Sequence, residues 1–210
     1  MTKNDVKTTS LLDLSHSAAG RYLSAYEYPY EALPDIKKMI LDLQKELGDD
    51  FTEASEGVFI HKTAKVAPTA YIGAPTIICA GAEIRHCAFI RGSALVGENS
   101  VVGNSTEVKN AIIFDNVAVP HFNYVGDSIL GYHAHMGAGA VTSNIKSDRT
   151  NVVVRDGEER FETGLRKMGA ILGNSVEIGC NSVLNPGTVI GPGSRVYPLS
   201  SATGADLKSE

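Results

Sequence analysis

Apolar side chains at strict six-residue intervals constrain this chain more than any other feature. Ile60, Val66, Ile72, Ile78, Ile84, Ile90, Val96, Val102, Val108 and Phe114 form one unbroken series. A second series, Leu130 and Met136, then Leu172, Ile178, Leu184, Ile190 and Val196, keeps the interval after interruptions. Six is a multiple of the strand period of two, so every anchor faces the same side of its segment. A helix would rotate successive anchors to different sides. β-Branched anchors also suit a pleated surface. Two positions before the anchor the residue is small through most of the first series: Ala64, Ala70, Thr76, Ala82, Ala88, Ala94, Ser100 and Thr106. Gly and Asn lie between anchors, as in Gly97-Glu98-Asn99 and Gly103-Asn104, where short strands must bend.

A fixed short period marks a repeat architecture. Three six-residue sides close a prism of about 18 residues per coil, with coils stacked about 4.8 Å apart. One coil buries about three anchors at roughly 1.5–3 kcal/mol each, so stability requires several stacked coils. The expectation is an all-β solenoid over residues 58–198, interrupted by an inserted hairpin or loop at 144–170. Residues 1–57 form an N-terminal helical cap and 199–210 a C-terminal tail. Within the cap, Pro34 to Leu47 reads as a helix, with Ile36, Ile40, Leu43 and Leu47 on one face and Gly48 as its stop. Leu11 to Tyr30 also reads as helical. The cap either covers the open first coil or shares in a binding site. In the insertion, Val152-Val153-Val154 and Arg160-Phe161 flank Asp156-Gly157, a hairpin signal. A projecting hairpin there is a subunit clasp or a substrate lid.

Charge and composition exclude several classes. A formal net charge of −5 over 210 residues argues against nucleic acid or an anionic membrane as the main partner. No apolar stretch has transmembrane length, and residues 1–10 lack the apolar core of a signal peptide. Cys79, Cys87 and Cys180 are odd in number and form no CxxC, so a reducing cytoplasm is the default.

The period also locates candidate chemistry. Arg91 and Lys109 each follow an anchor and stand 18 residues, or one coil, apart. They therefore stack on adjacent rungs, where like charges are unfavourable unless an anion lies near. A bound phosphate is one such anion; neutralisation of Lys109 by Glu107 is the alternative. Phe114 predicts an anchor at 120, where Pro120 stands, and the series resumes at Tyr124 with two residues lost. His121 falls inside that slip, and histidine has the unperturbed pKa suited to proton abstraction near neutrality. His133 and His135 share a face, but the histidine spacing does not match the zinc motif of prism-shaped γ-class carbonic anhydrases. No metal is expected.

The stretch Phe89 to Asn144 contains Ile90-Arg91-Gly92, Val102-Gly103-Asn104, Glu107-Val108-Lys109, His121-Phe122-Asn123-Tyr124-Val125-Gly126-Asp127 and Gly137-Ala138-Gly139. It resembles the acetyltransferase domain of the bifunctional glucosamine-1-phosphate acetyltransferase/N-acetylglucosamine-1-phosphate uridyltransferase family. The resemblance implies a left-handed parallel β-helix of hexapeptide repeats and a homotrimer with sites between subunits. It implies acetyl-CoA as co-substrate and an amino-sugar 1-phosphate, glucosamine-1-phosphate above all, as acceptor. By this resemblance His121 is the general base. Arg91 and Lys109 hold the phosphate, Tyr124 contacts it, Asn144 positions the amine or acyl group, and Ala138 and Cys180 contact acetyl-CoA.

This sequence departs from the family pattern in four ways. His135 stands where a sugar-binding Asn is expected, Cys180 replaces a serine, and the hairpin segment replaces a basic loop, with Lys146, Arg149 or Arg166 available instead. No Gly-rich nucleotide loop precedes the solenoid, so no uridyl transfer is expected. The rival expectation is a non-catalytic sugar-phosphate-binding or regulatory relative of sugar-nucleotide pyrophosphorylases.

Overall fold

A computed structural model describes residues 6–156 and 159–206. The hexads form a parallel β-solenoid with three faces. On the first, Val58–His61, Thr76–Ile78, Ala94–Val96, residues 111–113, residues 128–130, Ala170–Leu172, Thr188–Ile190 and Ala205–Asp206 stack in that order. The second face stacks Lys65–Val66, Glu83–Ile84, Val101–Asn104, Ala118–His121, His135–Met136, Glu177–Ile178 and Arg195–Val196. The third stacks Tyr71–Ile72, Phe89–Ile90, residues 107–109, residues 124–126, Val141–Thr142, Val183–Leu184 and Ser201–Ala202. The solenoid thus runs beyond 198 to at least 206. Ala202 occupies an anchor position with a side chain too small to register in an aliphatic series. Residues 207–210 of the expected tail lie outside the described residues.

The register corrects the position of the slip. Val96 pairs with Ile113, not Phe114, and Ile113 pairs with Leu130. Val108 pairs with Val125, so Val125 rather than Tyr124 is the inward residue. Each of these steps is 17 residues. One residue is dropped between Val108 and Ile113, and another between Val125 and Leu130. The coil just before these two turns the corner between the third and first faces through two positive-φ residues, Gly92 at 107° and Ser93 at 50°. The shortened coils use one, Asn110 at 48° and Asp127 at 49°, residue types that tolerate this region. Each strand therefore continues around its corner, over Glu107–Ile113 and Tyr124–Leu130.

The first face is buried on both sides. On the six inner rungs its outward residues, one before each anchor, are Ile77, Leu95, Ile112, Ile129, Ile171 and Val189, all within about 1 % of full burial, while Phe59 and Ala205 on the end rungs are half-buried. On the second face the same position holds Lys65, Glu83, Val101, Ala118, His135, Glu177 and Arg195. Segments outside the repeat cover the first face. The helix Ile36–Gln44 buries Ile36, Met39, Ile40 and Leu43. Gln44 Nε2 donates to the carbonyls of Gly57 and Thr76. Farther along, the His16 ring stacks on Tyr132 at 3.7 Å, and the Asn174 amide donates to the Leu11 carbonyl at 3.1 Å. The N-terminal segment therefore lies along the flank of the prism rather than over its end. Strand Phe51–Ser55, antiparallel to Val58–His61, covers the first rung.

The expected helix over Leu11 to Tyr30 is replaced by single turns at Thr8–Leu11, Leu14–His16 and Gly20–Leu23. Asp13 caps the second of them by accepting from the Ser15 amide, which ends the first. Residues 29–35 form a 3₁₀ segment containing both Pro29 and Pro34, which delays the α-helix to Ile36. The hairpin exists, Val153–Asp156 against Glu159–Glu162, with its turn at 157–158 outside the described residues. It does not project. Val152, Val154 and Phe161 are buried, Phe161 lies 6.0 Å from the Tyr28 ring, and a side chain on Gly187 or Gly204 would strike Val152 or Arg155.

Because Leu95 is sandwiched between solenoid and helix, Leu95→Ala lowers stability by about 2–5 kcal/mol in urea denaturation. Lys65→Ala, at the same hexad position on the open second face, changes it by less than about 0.5 kcal/mol.

Candidate functional site

The two shortened corners stack on one edge of the prism, and the expected phosphate ligands gather there. Arg91 and Lys109 occupy adjacent rungs, since their neighbours Ile90 and Val108 pair. Each cation has a carboxylate of its own. Arg91 Nη1 donates to Glu107 Oε1 at 2.9 Å, and this bond holds the guanidinium's pKa above its ordinary value. Lys109 Nζ lies 3.3 Å from Asp127 Oδ2. Glu107 thus serves Arg91 rather than Lys109, and the anion required by the stacked cations is supplied by the chain itself.

Asp127 is the centre of the edge. The residue is 5 % exposed, and besides Lys109 its carboxylate accepts from Asn110 Nδ2 at 2.9 Å and Asn144 Nδ2 at 2.5 Å. These donors come from the rungs below and above, so one carboxylate joins three coils. Asn110 Nδ2 also donates to the Leu33 carbonyl at 3.1 Å, fixing the N-terminal segment to this edge. The Gly169 amide donates to the Asp127 carbonyl, and the Met168 amide to that of Asn144, which closes the insertion at the same point. Asn144 Nδ2 reaches Tyr124 Oη at 3.2 Å. The Tyr124 ring lies over Gly126, where a Cβ would meet its Oη at 2.4 Å. Burial raises the Tyr124 pKa, with the charges of Asp127 and Glu107 adding to the effect. Thr142, inward on the next rung, accepts from the Gly126 amide at 2.9 Å and donates to the Tyr124 carbonyl at 3.2 Å.

His121 stands at the opposite edge of the same face, with strand residues 124–126 between. It is exposed, and among the described residues its imidazole has no hydrogen-bond partner. Its backbone is fixed by Asn123, which is 3 % exposed. Asn123 Oδ1 accepts from the His121 amide at 3.0 Å, while Nδ2 donates to the carbonyls of Gly137 at 2.8 Å and Ala140 at 3.1 Å. Ala138 and Cys180 follow on the next two rungs beside His121: the Gly139 amide donates to the His121 carbonyl, and the Asn181 amide to that of Ala138. Cys180 is exposed, whereas burial pushes the Cys79 thiol up to about 12 and leaves it inert. His135 lies apart on the second face, its Nδ1 2.8 Å from Glu177 Oε2. A groove of about 310 Å³ beside it is lined by Cys180, Ile178, Val196 and Tyr197. Among the described residues no cluster of side chains has the makings of a metal site, and no helix is long and apolar enough to cross a membrane.

The period brings Arg91, Lys109, Tyr124 and Asn144 together and sets His121 across the face from them. Sequence reasoning missed Asp127 as the hub, and Asn110 and Asn123 as clamps. The available signal was an Asn or Asp at each shortened corner.

Residues 75–196 match the family model described as the GMPPB C-terminal domain, more than half of the chain. The chain belongs to this family. A bifunctional sugar-1-phosphate nucleotidylyltransferase/acetyltransferase of Sulfurisphaera tokodaii is 33 % identical over 169 residues, covering 78 % of this chain and 42 % of that protein. A bifunctional protein GlmU of Methanococcus maripaludis is 37 % identical over 109 residues, covering 52 % and 26 %. The chain therefore spans less than half the length of these relatives. A hexapeptide transferase family protein of Anaplasma phagocytophilum superposes with a TM-score of 0.51 at 21 % identity, covering 66 % of this chain and 74 % of that one, a likeness of fold.

Since the Asp127 carboxylate is buried against one ammonium and two amides, Asp127→Ala lowers stability by about 2–4 kcal/mol. A fall in urea midpoint reads this loss. Adding Lys109→Met recovers part of it by removing the uncompensated cation.

Proposed function

We propose that this solenoid transfers an acetyl group from acetyl-CoA to the amine of an amino-sugar 1-phosphate, glucosamine-1-phosphate first among them. One observation carries the reading: a single solenoid face has Arg91, Lys109, Tyr124 and Asn144 gathered at one edge and an unpartnered imidazole, His121, at the other. The strand between is three residues, roughly 10 Å. A small sugar with a phosphate at one end and an amine at the other, gripped by long side chains, suits that span. The names of the relatives from S. tokodaii and M. maripaludis point the same way.

In this reading the phosphate enters the Arg91–Glu107 and Lys109–Asp127 pairs and draws on both cations. Tyr124 Oη and Asn144 Nδ2, already bonded to each other, add polar contacts. An amine is a nucleophile only when deprotonated, and His121 takes its proton. Bound beside His121, acetyl-CoA supplies the acyl group, the new C–N bond replacing the C–S bond as the thiolate leaves with the proton. The small side chains of Ala138 and Cys180 leave room along that edge. Sites between subunits of a homotrimer, and a cytoplasmic setting, belong to the same proposal.

His121→Ala lowers kcat by about 10²–10⁴ with unfolding temperature unchanged, measured by thiol release. Near-wild-type turnover removes His121 as the base. Arg91→Ala and Lys109→Ala chiefly raise KM for the phosphorylated sugar, by about tenfold or more per lost charge-assisted contact. A loss confined to kcat contradicts the phosphate assignment.

A further inference from the structure

One corner of the prism, between the second and third faces, repeats a left-handed residue on successive rungs: Cys87, Ser105, Phe122, Gly139, Asn181 and Leu199, with φ between 52° and 72° at each. The hydrogen-bond pattern repeats with them. The amides of Phe122, Gly139, Asn181 and Leu199 donate to the carbonyls of Asn104, His121, Ala138 and Cys180. This backbone region suits Gly and Asn and disfavours bulky side chains. Four of the six residues are small or amide. Phe122 and Leu199 are neither, and they are 63 % and 80 % exposed.

A phenylalanine here meets two disadvantages at once, a disfavoured backbone and an apolar ring in water. Among the described residues its ring has no aromatic partner. Asn123 holds the corner from the next position, through hydrogen bonds that do not involve the Phe122 side chain. Strain of this kind concentrates at functional positions. Phe122 adjoins His121, and the adjacent column, His121, Ala138 and Cys180, runs along the edge toward Leu199. Three rungs separate Phe122 from Leu199, roughly 14 Å. Between these two apolar posts lie only Gly139 and Asn181.

We propose that Phe122, with Leu199 at the far end, forms an apolar rail for the pantetheine arm of the acyl donor. Phe122 is then a specificity and positioning residue that holds the thioester against His121, rather than part of the sugar-phosphate grip. This rests on the acyl-transfer reading above and adds the residue that orients the donor.

The variant Phe122→Asn separates this role from a structural one, because Asn favours the left-handed region. Binding of coenzyme A and of glucosamine-1-phosphate is measured by calorimetry, alongside thermal unfolding and light-scattering mass. The expected result is weaker coenzyme A binding by about tenfold or more, with sugar-phosphate affinity and mass unchanged and a higher unfolding temperature. Phe122→Leu keeps most of the coenzyme A affinity. The proposal is overturned if coenzyme A affinity stays within twofold, if sugar-phosphate affinity falls in parallel, if the mass changes, or if the unfolding temperature drops. Coenzyme A binding that depends on Phe122 without any acyl transfer overturns the acyl-transfer reading and leaves the rail standing. A wild-type chain that does not bind coenzyme A overturns both.

Discussion

The carboxylate of Asp127 is buried at the one place where three coils, the N-terminal segment and the insertion converge. It accepts from Lys109, Asn110 and Asn144, and its main chain receives the Gly169 amide. A buried carboxylate with fewer donors would cost several kcal/mol, so the surrounding chain is obliged to deliver them. That obligation accounts for the local geometry. Relative to the coil before them, two coils each drop one residue and turn through a single left-handed Asn or Asp, which sets Asn110 next to Asp127 on neighbouring rungs. The edge that results is rigid and carries two cations, a phenol and an amide. In the proposed reading, a phosphate that bridges Arg91 and Lys109 finds Tyr124 and Asn144 already in place.

The anchors made the prism, its faces and the stacking of Arg91 on Lys109 legible in the sequence, because aliphatic side chains at a multiple of two leave no other way to bury them. The slip was legible as a fact but not in position. Phe114, one residue after the true anchor Ile113, is also apolar and buried, and the half-buried ring of Tyr124 stands beside the true inward residue Val125. Hydrophobicity alone cannot distinguish an inward residue from a buried corner residue next to it. The covered first face was readable in principle, since Ile77, Leu95, Ile112 and Ile129 all precede anchors. An outward apolar residue on every third hexad implies a second layer. The irregular path of residues 8–35 was not readable, because caps such as Asp13 and the pair of prolines act over single turns while the apolar pattern continues through them.

Coverage of the first face by the helix and hairpin also assigns the other faces their roles. Polar and exposed groups are left on the second and third faces, and the reactive candidates lie on the third and its two edges. The insertion that would read as a lid is tied down by the buried side chains of Val152, Val154 and Phe161.

The central claim is that one solenoid face reads a phosphate at one edge and an amine at the other. It is tested most directly by comparing kcat/KM for acetyl transfer from acetyl-CoA to glucosamine-1-phosphate and to unphosphorylated glucosamine. The account predicts a preference for the phosphorylated sugar of about 10² or more, two charge-assisted contacts at roughly tenfold each. Equal efficiency with the two sugars contradicts it.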